Sequence, residues 1–170
     1  MLKYQRITET DEELYHFCLG QKEYYGIENQ EVTWQSVQDD MRPPKGFEKE
    51  EHYHYKIYDN QDMIGYIDYM IGYRFHMIHD DSYMWIGLFL IDQNHQRKHY
   101  GKRIIKEIID RHPLVTHIQL ACLDTNPKGL AFWNALGFHS IAQSAYNSLN
   151  VTVFEKERKT HDSTKFSTNL

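Results

Sequence analysis

The alternation of apolar and polar positions changes period repeatedly along the chain, and each change marks an element. The opening "LKYQRIT" has strand character. Leu14, Phe17 and Cys18 then recur at helical spacing, with Thr10 and Glu13 fitting a capping box ahead of them. A second short helix is predicted after Thr33, carrying Trp34, Val37 and Met41 on one face and stopped by "RPPKG". From His52 the period falls to two: "HYHYKIYD" alternates, and "MIGYIDYMIGY" continues as a longer strand. The run from Tyr83 to Ile91 is nearly all apolar, as expected of a strand buried on both faces. Ile104, Ile105, Ile108 and Ile109 return to helical spacing and Pro113 closes that helix. "HIQLACL" is a further strand. Asn126 and Pro127 open a helix that ends at Gly137. Strands around Ser140 to Tyr146 and in "VTVFEKE" complete the set.

Strands and helices that alternate in this way predict an α/β (α+β) fold, one domain over residues 1–158 with helices flanking a central mixed sheet. The tail 159–170 is polar and aperiodic and is expected to be disordered. A chain of 170 residues is long enough for one proper core and too short for two ordinary ones. The net charge of -5 argues against nucleic-acid binding and suits a cationic ligand. No apolar stretch reaches the length of a signal peptide or a membrane span, so a cytoplasmic location is expected. Cys18 and Cys122 both lie in apolar surroundings and read as reduced core residues.

"HQRKHYGKR" joins the apolar strand to the isoleucine helix. A strand running into a helix through a short turn presents unpaired backbone N–H groups, which suit a phosphate. Only Gly101 offers room for close approach, and neither a P-loop nor a G-x-G-x-x-G pattern occurs. On the residues alone, a basic surface turn is the simpler reading.

Two motifs together change the balance. "QRKHYGK" resembles the Q/R-x-x-G-x-G/A signature of the GNAT superfamily of acetyl-CoA-dependent N-acyltransferases, with Gln96 and Gly101 at its first and last positions. His99 stands where that signature usually has its first glycine. "NPKGLAFWNALGF" resembles the second signature through Asn126, Phe132, Trp133, Gly137 and Phe138, with Trp133 in place of the commoner tyrosine. The resemblance covers residues 3 to 156 and implies a mostly antiparallel, twisted sheet. It also implies transfer of an acetyl group from acetyl-CoA to the primary amine of a small molecule or peptide, by direct attack in a ternary complex. Proteins of this kind are commonly homodimers. The alternative is a non-catalytic acyl-CoA-binding sensor.

By the same resemblance, the amides of Arg97, Lys98, His99, Tyr100, Gly101 and Lys102 would cradle the coenzyme A diphosphate, together with Gln96. Phe89, Leu90 and Ile91 would present backbone to the pantetheine arm, with Asn126 and Trp133 beside it. His99 is expected at ordinary negative φ, since a left-handed turn would cost about one to a few kcal/mol. Deprotonating the ammonium needs a base. Where many members place a glutamate in the fourth strand, this chain has Gly87. Asp68 is the substitute, the lone carboxylate of an apolar strand; it reads equally as a carboxylate satisfied by hydrogen bonds. Tyr83 could relay a proton, although strand tyrosines usually pack. Trp133 can donate a hydrogen bond but cannot give up its proton. His52 and His54 share a strand face, and His76 lies near His79, but neither pair has carboxylates at ligand spacing, so no metal is expected. The acceptor pocket is expected between the two N-terminal helices and the strand from Tyr66 to Tyr73, with the acidic loop near Glu48 on its border.

Overall fold

The computed structural model describes residues 1–96 and 98–158. Arg97 and the tail expected from residue 159 lie outside the described residues. Seven strands form one sheet: β1 (Leu2–Arg6), β2 (His52–Asp59), β3 (Asp62–Arg74), β4 (Ile78–Ile91), β5 (His117–Leu123), β6 (His139–Tyr146) and β7 (Leu149–Glu157). Their spatial order is β1-β2-β3-β4-β5-β7-β6. Every neighbouring pair is antiparallel except β4 and β5, which run parallel. Helices α1 (Glu12–Leu19), α2 (Lys22–Ile27) and α3 (Trp34–Asp40) precede β2, while α4 (Tyr100–Asp110) and α5 (Pro127–Ala135) flank β5 in sequence.

The strand period of two divides the core between the two faces of the sheet. On one face Ile57, Ile67, Tyr69 and Met84 pack with Ile104, Ile105 and Ile108 of α4. On the other, Tyr66 and Leu90 pack with Leu14, Cys18, Tyr25, Val37 and Met41 of the N-terminal helices. Cys18 and Cys122 are buried and unpaired. Helix α2 is an addition to the sequence-based expectation; only Tyr25 of its residues is buried, too little for a helical period to show. No described helix is long and apolar enough to cross a membrane.

The start of α1 differs from the expected capping box. Its N-cap is Asp11, whose side chain accepts from the Leu14 N–H at 2.8 Å. Glu13 does not reach back to the helix start but turns to Lys56, whose Nζ lies 2.9 Å from Glu13 and 2.6 Å from Asp11. Lys56 is buried on the same sheet face as His54 and His52, so α1 is held to the sheet by a buried ammonium with two carboxylates. Burial raises the Asp11 carboxyl, but the Lys56 and Leu14 hydrogen bonds outweigh it and leave it below its ordinary value. Glu13 is lowered chiefly by the Tyr58 hydroxyl, and by Lys56. Groups depressed on folding stabilise the native state above their unfolded pKa and lose that contribution as pH falls through the folded one. Urea unfolding should therefore show stability declining below about pH 4, and Lys56→Met should be less stable at pH 7 with a flatter decline.

Candidate active-site cleft

The parallel ladder between β4 and β5 runs from Tyr83 opposite His117 to Ile86 opposite Leu120 and stops there among the described residues. Beyond it β4 continues to Ile91 while still paired to β3, through Leu88–Asp68, Phe89–Ile67, Leu90–Tyr66 and Ile91–Gly65. The β5 side of that stretch is open, and a cleft of about 1240 Å³ fills the gap. Phe89, Leu90 and Ile91 line it, as do Asn126 and Trp133 from the α5 side.

The link from β4 into α4 is folded back on itself. The His95 N–H donates to the Asp92 carbonyl at 2.8 Å, and Gln96 Nε2 donates to the Ile91 carbonyl at 3.1 Å. His99 then has to make the reversal into the helix, and it does so at φ 61°, ψ 15°. The expected negative φ is thus corrected: the turn is left-handed, a region where histidine is one of the more tolerated non-glycine residues. His99 places no side-chain cap on α4, so the first-turn N–H groups keep their donors for another acceptor. His99, Tyr100, Gly101 and Lys102 line the cleft together with Gln96; Lys98 is exposed and does not.

Gly101 serves helix packing as well as lining the cleft. A Cβ there would come 2.8 Å from Cε2 of Phe132, so the missing side chain lets α5 pack against the start of α4. The Tyr100 hydroxyl points to Asp59 at 2.5 Å. Asn126 spends its side-chain oxygen on the Gly129 N–H, 3.0 Å away, as the N-cap of α5. Trp133 is a core residue as well as a cleft residue, packed against Phe132 and Phe138. Gln21, not singled out in the sequence, ties the α1–α2 junction to this link by donating to Asp92 at 3.0 Å and accepting from the Gln93 N–H at 3.3 Å.

At the head of the open stretch β3 and β4 fall out of register between Asp68 and Tyr69, leaving Gly87 as the extra residue of a bulge. A Cβ on Gly87 would come within 2.3 Å of Asp68 Oδ1. The carboxylate of β3 thus occupies the space that a side chain on β4 would fill. Asp68 lines the cleft yet is only 6% exposed. Burial raises its carboxyl, an effect partly offset by the His52 imidazole and the Leu88 backbone N–H. His52 Nε2 stands 3.4 Å from Asp68 Oδ1, and His52 Nδ1 is buried without a partner.

Tyr83 is not brought to this place. It lies four residues before Gly87, at the closed end of the ladder, stacked on His117 at 4.6 Å and under the Arg74 guanidinium at 4.7 Å. The proton-relay role expected for it fails on position. Tyr66 also turns away from the cleft, its hydroxyl 2.9 Å from His54 Nδ1. Neither Glu48 nor the Lys49–Glu51 turn lines the cleft. The acidic residues that do, besides Asp68, are Glu23 and Glu28 near α2 and Asp40 at the end of α3, accompanied by Tyr24, Tyr25, Tyr73 and Tyr146.

The carboxylate missing beside the two histidines in sequence is supplied across the ladder. His52, His54 and Asp68 offer atoms within 4.8 Å of one another. His54, however, is engaged by Tyr66 and by the Met41 backbone. Burial and the neighbouring His52 push its pKa down to about 3, so it is a neutral, satisfied ring. What remains is a pair, His52 with Asp68.

The sequence matches the family model described as the acetyltransferase (GNAT) family over residues 12–138, and the chain belongs to that family. No curated protein matches it. Among solved structures, an acetyltransferase from Thermus thermophilus is similar with a TM-score of 0.74 at 18% identity, over 93% of this chain and 97% of that one. The aminoglycoside acetyltransferase AAC(6')-Ib in complex with coenzyme A follows with a TM-score of 0.73 at 18% identity, over 97% and 99%. A Bacillus subtilis acetyltransferase in complex with CoA gives a TM-score of 0.62 at 13% identity, over 93% and 99%. At such identities these likenesses speak for the fold.

The left-handed N-cap yields a direct test. His99→Gly removes a backbone cost of about 1–2 kcal/mol, part of which the greater freedom of unfolded glycine cancels, about 0.5–1 kcal/mol. The melting temperature should rise by a few degrees at most, and calorimetric titration should show acetyl-CoA bound as tightly as before or more so. A large loss of affinity would mean that the imidazole itself contacts the ligand.

Proposed function

We propose that this chain transfers the acetyl group of acetyl-CoA to a primary amine of a small acceptor that carries more than one ammonium group. The observation that carries this reading is the placement of the Asp68 carboxylate beside the unpaired β4 edge, in space that Gly87 leaves free. The backbone of Gly87 to Ile91 offers hydrogen-bonding groups along one wall of the cleft, which suits the amides of a pantetheine arm. An N–H of this edge can also polarise the thioester carbonyl, stabilising the oxyanion as the amine adds. The donors at the start of α4, with Lys102 beside them, suit a diphosphate. The fold neighbours described with coenzyme A support the same cosubstrate.

The acceptor's ammonium must lose a proton before its nitrogen can attack. Asp68 takes that proton, the C–N bond forms and the C–S bond breaks with release of thiolate, which takes up the second proton that the nitrogen sheds as the amide forms. A thiol of pKa about 8.5 needs no strong acid to depart, consistent with a tryptophan at position 133. Indole can only donate a hydrogen bond there.

Charge around the cleft supports a polycationic acceptor. Glu28, Asp40 and Asp68 reach the same cleft from three elements, and among the described residues no lysine or arginine pairs with any of them. Burial, then the charges of Asp68 and Glu28, push Asp40 up to about 6. Glu28 is raised by burial despite the hydrogen bond it accepts from Tyr24 at 2.6 Å. Mutual repulsion of this kind is relieved by ammonium groups, and the tyrosine rings around it favour cations further. The AAC(6')-Ib structure with kanamycin supports an amine acceptor in this fold.

A second reading is a sensor that binds acyl-CoA without turnover, favoured by the left-handed His99 and by Gly101 being covered by Phe132. Release of free thiol from acetyl-CoA in the presence of spermidine or kanamycin separates the two. Asp68→Asn should lower kcat by about 10²-fold or more while acetyl-CoA binding persists; undiminished turnover would remove Asp68 from the mechanism. Asp40→Asn should raise the acceptor KM several-fold. It should also abolish the rise in that KM expected of the native protein below pH about 6, where Asp40 protonates.

A further inference from the structure

We infer that His52 is the positioning partner of Asp68, and that imidazole and carboxylate work as one buried pair whose geometry sets when Asp68 can accept the acceptor's proton. The inference rests on the reading of Asp68 as the base, and it names a residue that neither family motif contains.

Three strands converge on the carboxylate. Asp68 lies on β3, the Leu88 N–H comes from β4, and His52 comes from β2. In the β2–β3 ladder His54 stands opposite Asp68 and His52 opposite Met70, so His52 is the diagonal neighbour on the same face. Diagonal positions lie within reach of long side chains. Neighbours on both sides fit the pair: Gly87 has no side chain to displace the carboxylate, and the His54 ring lies against His52 with centroids 4.0 Å apart. His52 is 7% exposed and Asp68 6%.

A carboxyl so deeply buried holds its proton more tightly than one in water, and a protonated carboxyl cannot take a proton from an ammonium. The groups that face it from the packed elements are mostly acids or neutral hydroxyls: Asp40 from α3, Tyr24 from α2, Tyr66 on its own strand and Tyr146 from β6. His54 is neutral. His52 is the one described side chain whose contact favours the ionised carboxylate. The imidazole also retains a buried Nδ1 with no partner, an unfavourable feature that an apolar side chain of similar size would lack. Packing alone gives no reason for a histidine here; a carboxylate to be held ionised and oriented does.

The test reads the proton directly. Protein labelled with ¹³C at the aspartate carboxyls is titrated by NMR, and the Asp68 signal is assigned by its absence from Asp68→Asn. In His52→Leu the Asp68 midpoint should move up by a pH unit or more. In His52→Gln, which keeps an N–H donor without the imidazole, it should move less; this variant also serves if the leucine protein folds poorly. An unchanged midpoint in both overturns the proposal. In parallel, kcat/KM against pH with acetyl-CoA and spermidine should show its acidic limb displaced upward to match, with the acetyl-CoA KM within twofold of the native value. A uniform loss at every pH would assign His52 a merely structural role and overturn the proposal. If the native chain turns over no amine, the reading of Asp68 as base fails on that result, while the titration still decides whether His52 governs its proton.

Discussion

The cleft exists because one ladder of hydrogen bonds ends early. Parallel pairing of β4 with β5 lasts four residues, after which β4 stays with β3 and β5 stays with β7. Backbone N–H and C=O groups buried without partners are costly, so a sheet that parts in its middle must offer that edge to something else. Water or a ligand with amides of its own can take the place of the missing strand. The apolar side chains of β4 pack normally on both faces, so the opening costs no core. Leu90 joins the cluster under the N-terminal helices, and Phe89 packs beside the other.

The bulge at Gly87 belongs to the same event. Slipping the register by one residue re-aims the side chains around it, and here it brings a carboxylate from the neighbouring strand over a glycine. The site thus receives its acid group from β3 and its backbone groups from β4. His52 reaches the carboxylate from β2, so three consecutive strands of one meander meet at one atom group. Helix α2 and the end of α3 line the cleft from the N-terminal side, while α1 is anchored to the sheet through the buried Lys56 and its exit is tied through Gln21 to the exit of β4.

Much of this was legible in the amino-acid sequence. The shift from helical spacing to strict alternation at His52, the unbroken apolar run ending at Ile91, and the Asn126–Pro127 helix start all correspond to elements where the periodicity places them, because each is a local matter of burial and capping. Asp68 stood out as a carboxylate in an apolar strand, and its place in the cleft agrees with that signal. Other assignments failed for one shared reason. Tyr83 and Phe89 belong to the same strand, but only the point where the ladder ends separates a packed tyrosine from a cleft residue. Gly101 looked like room for a ligand, whereas its missing side chain makes room for Phe132, from a helix that begins at Pro127.

The sequence by itself determined the order of elements, the two faces of each strand and the pair of motifs that mark the family, since these depend on neighbours within a few positions. Tertiary structure alone decided the left-handed turn at His99, the union of His52 with Asp68 and the gathering of Glu28, Asp40 and Asp68 in one cleft. Each depends on the register between strands or on the approach of a helix to a sheet. A shift of one residue in either would leave every local pattern intact and send these side chains elsewhere.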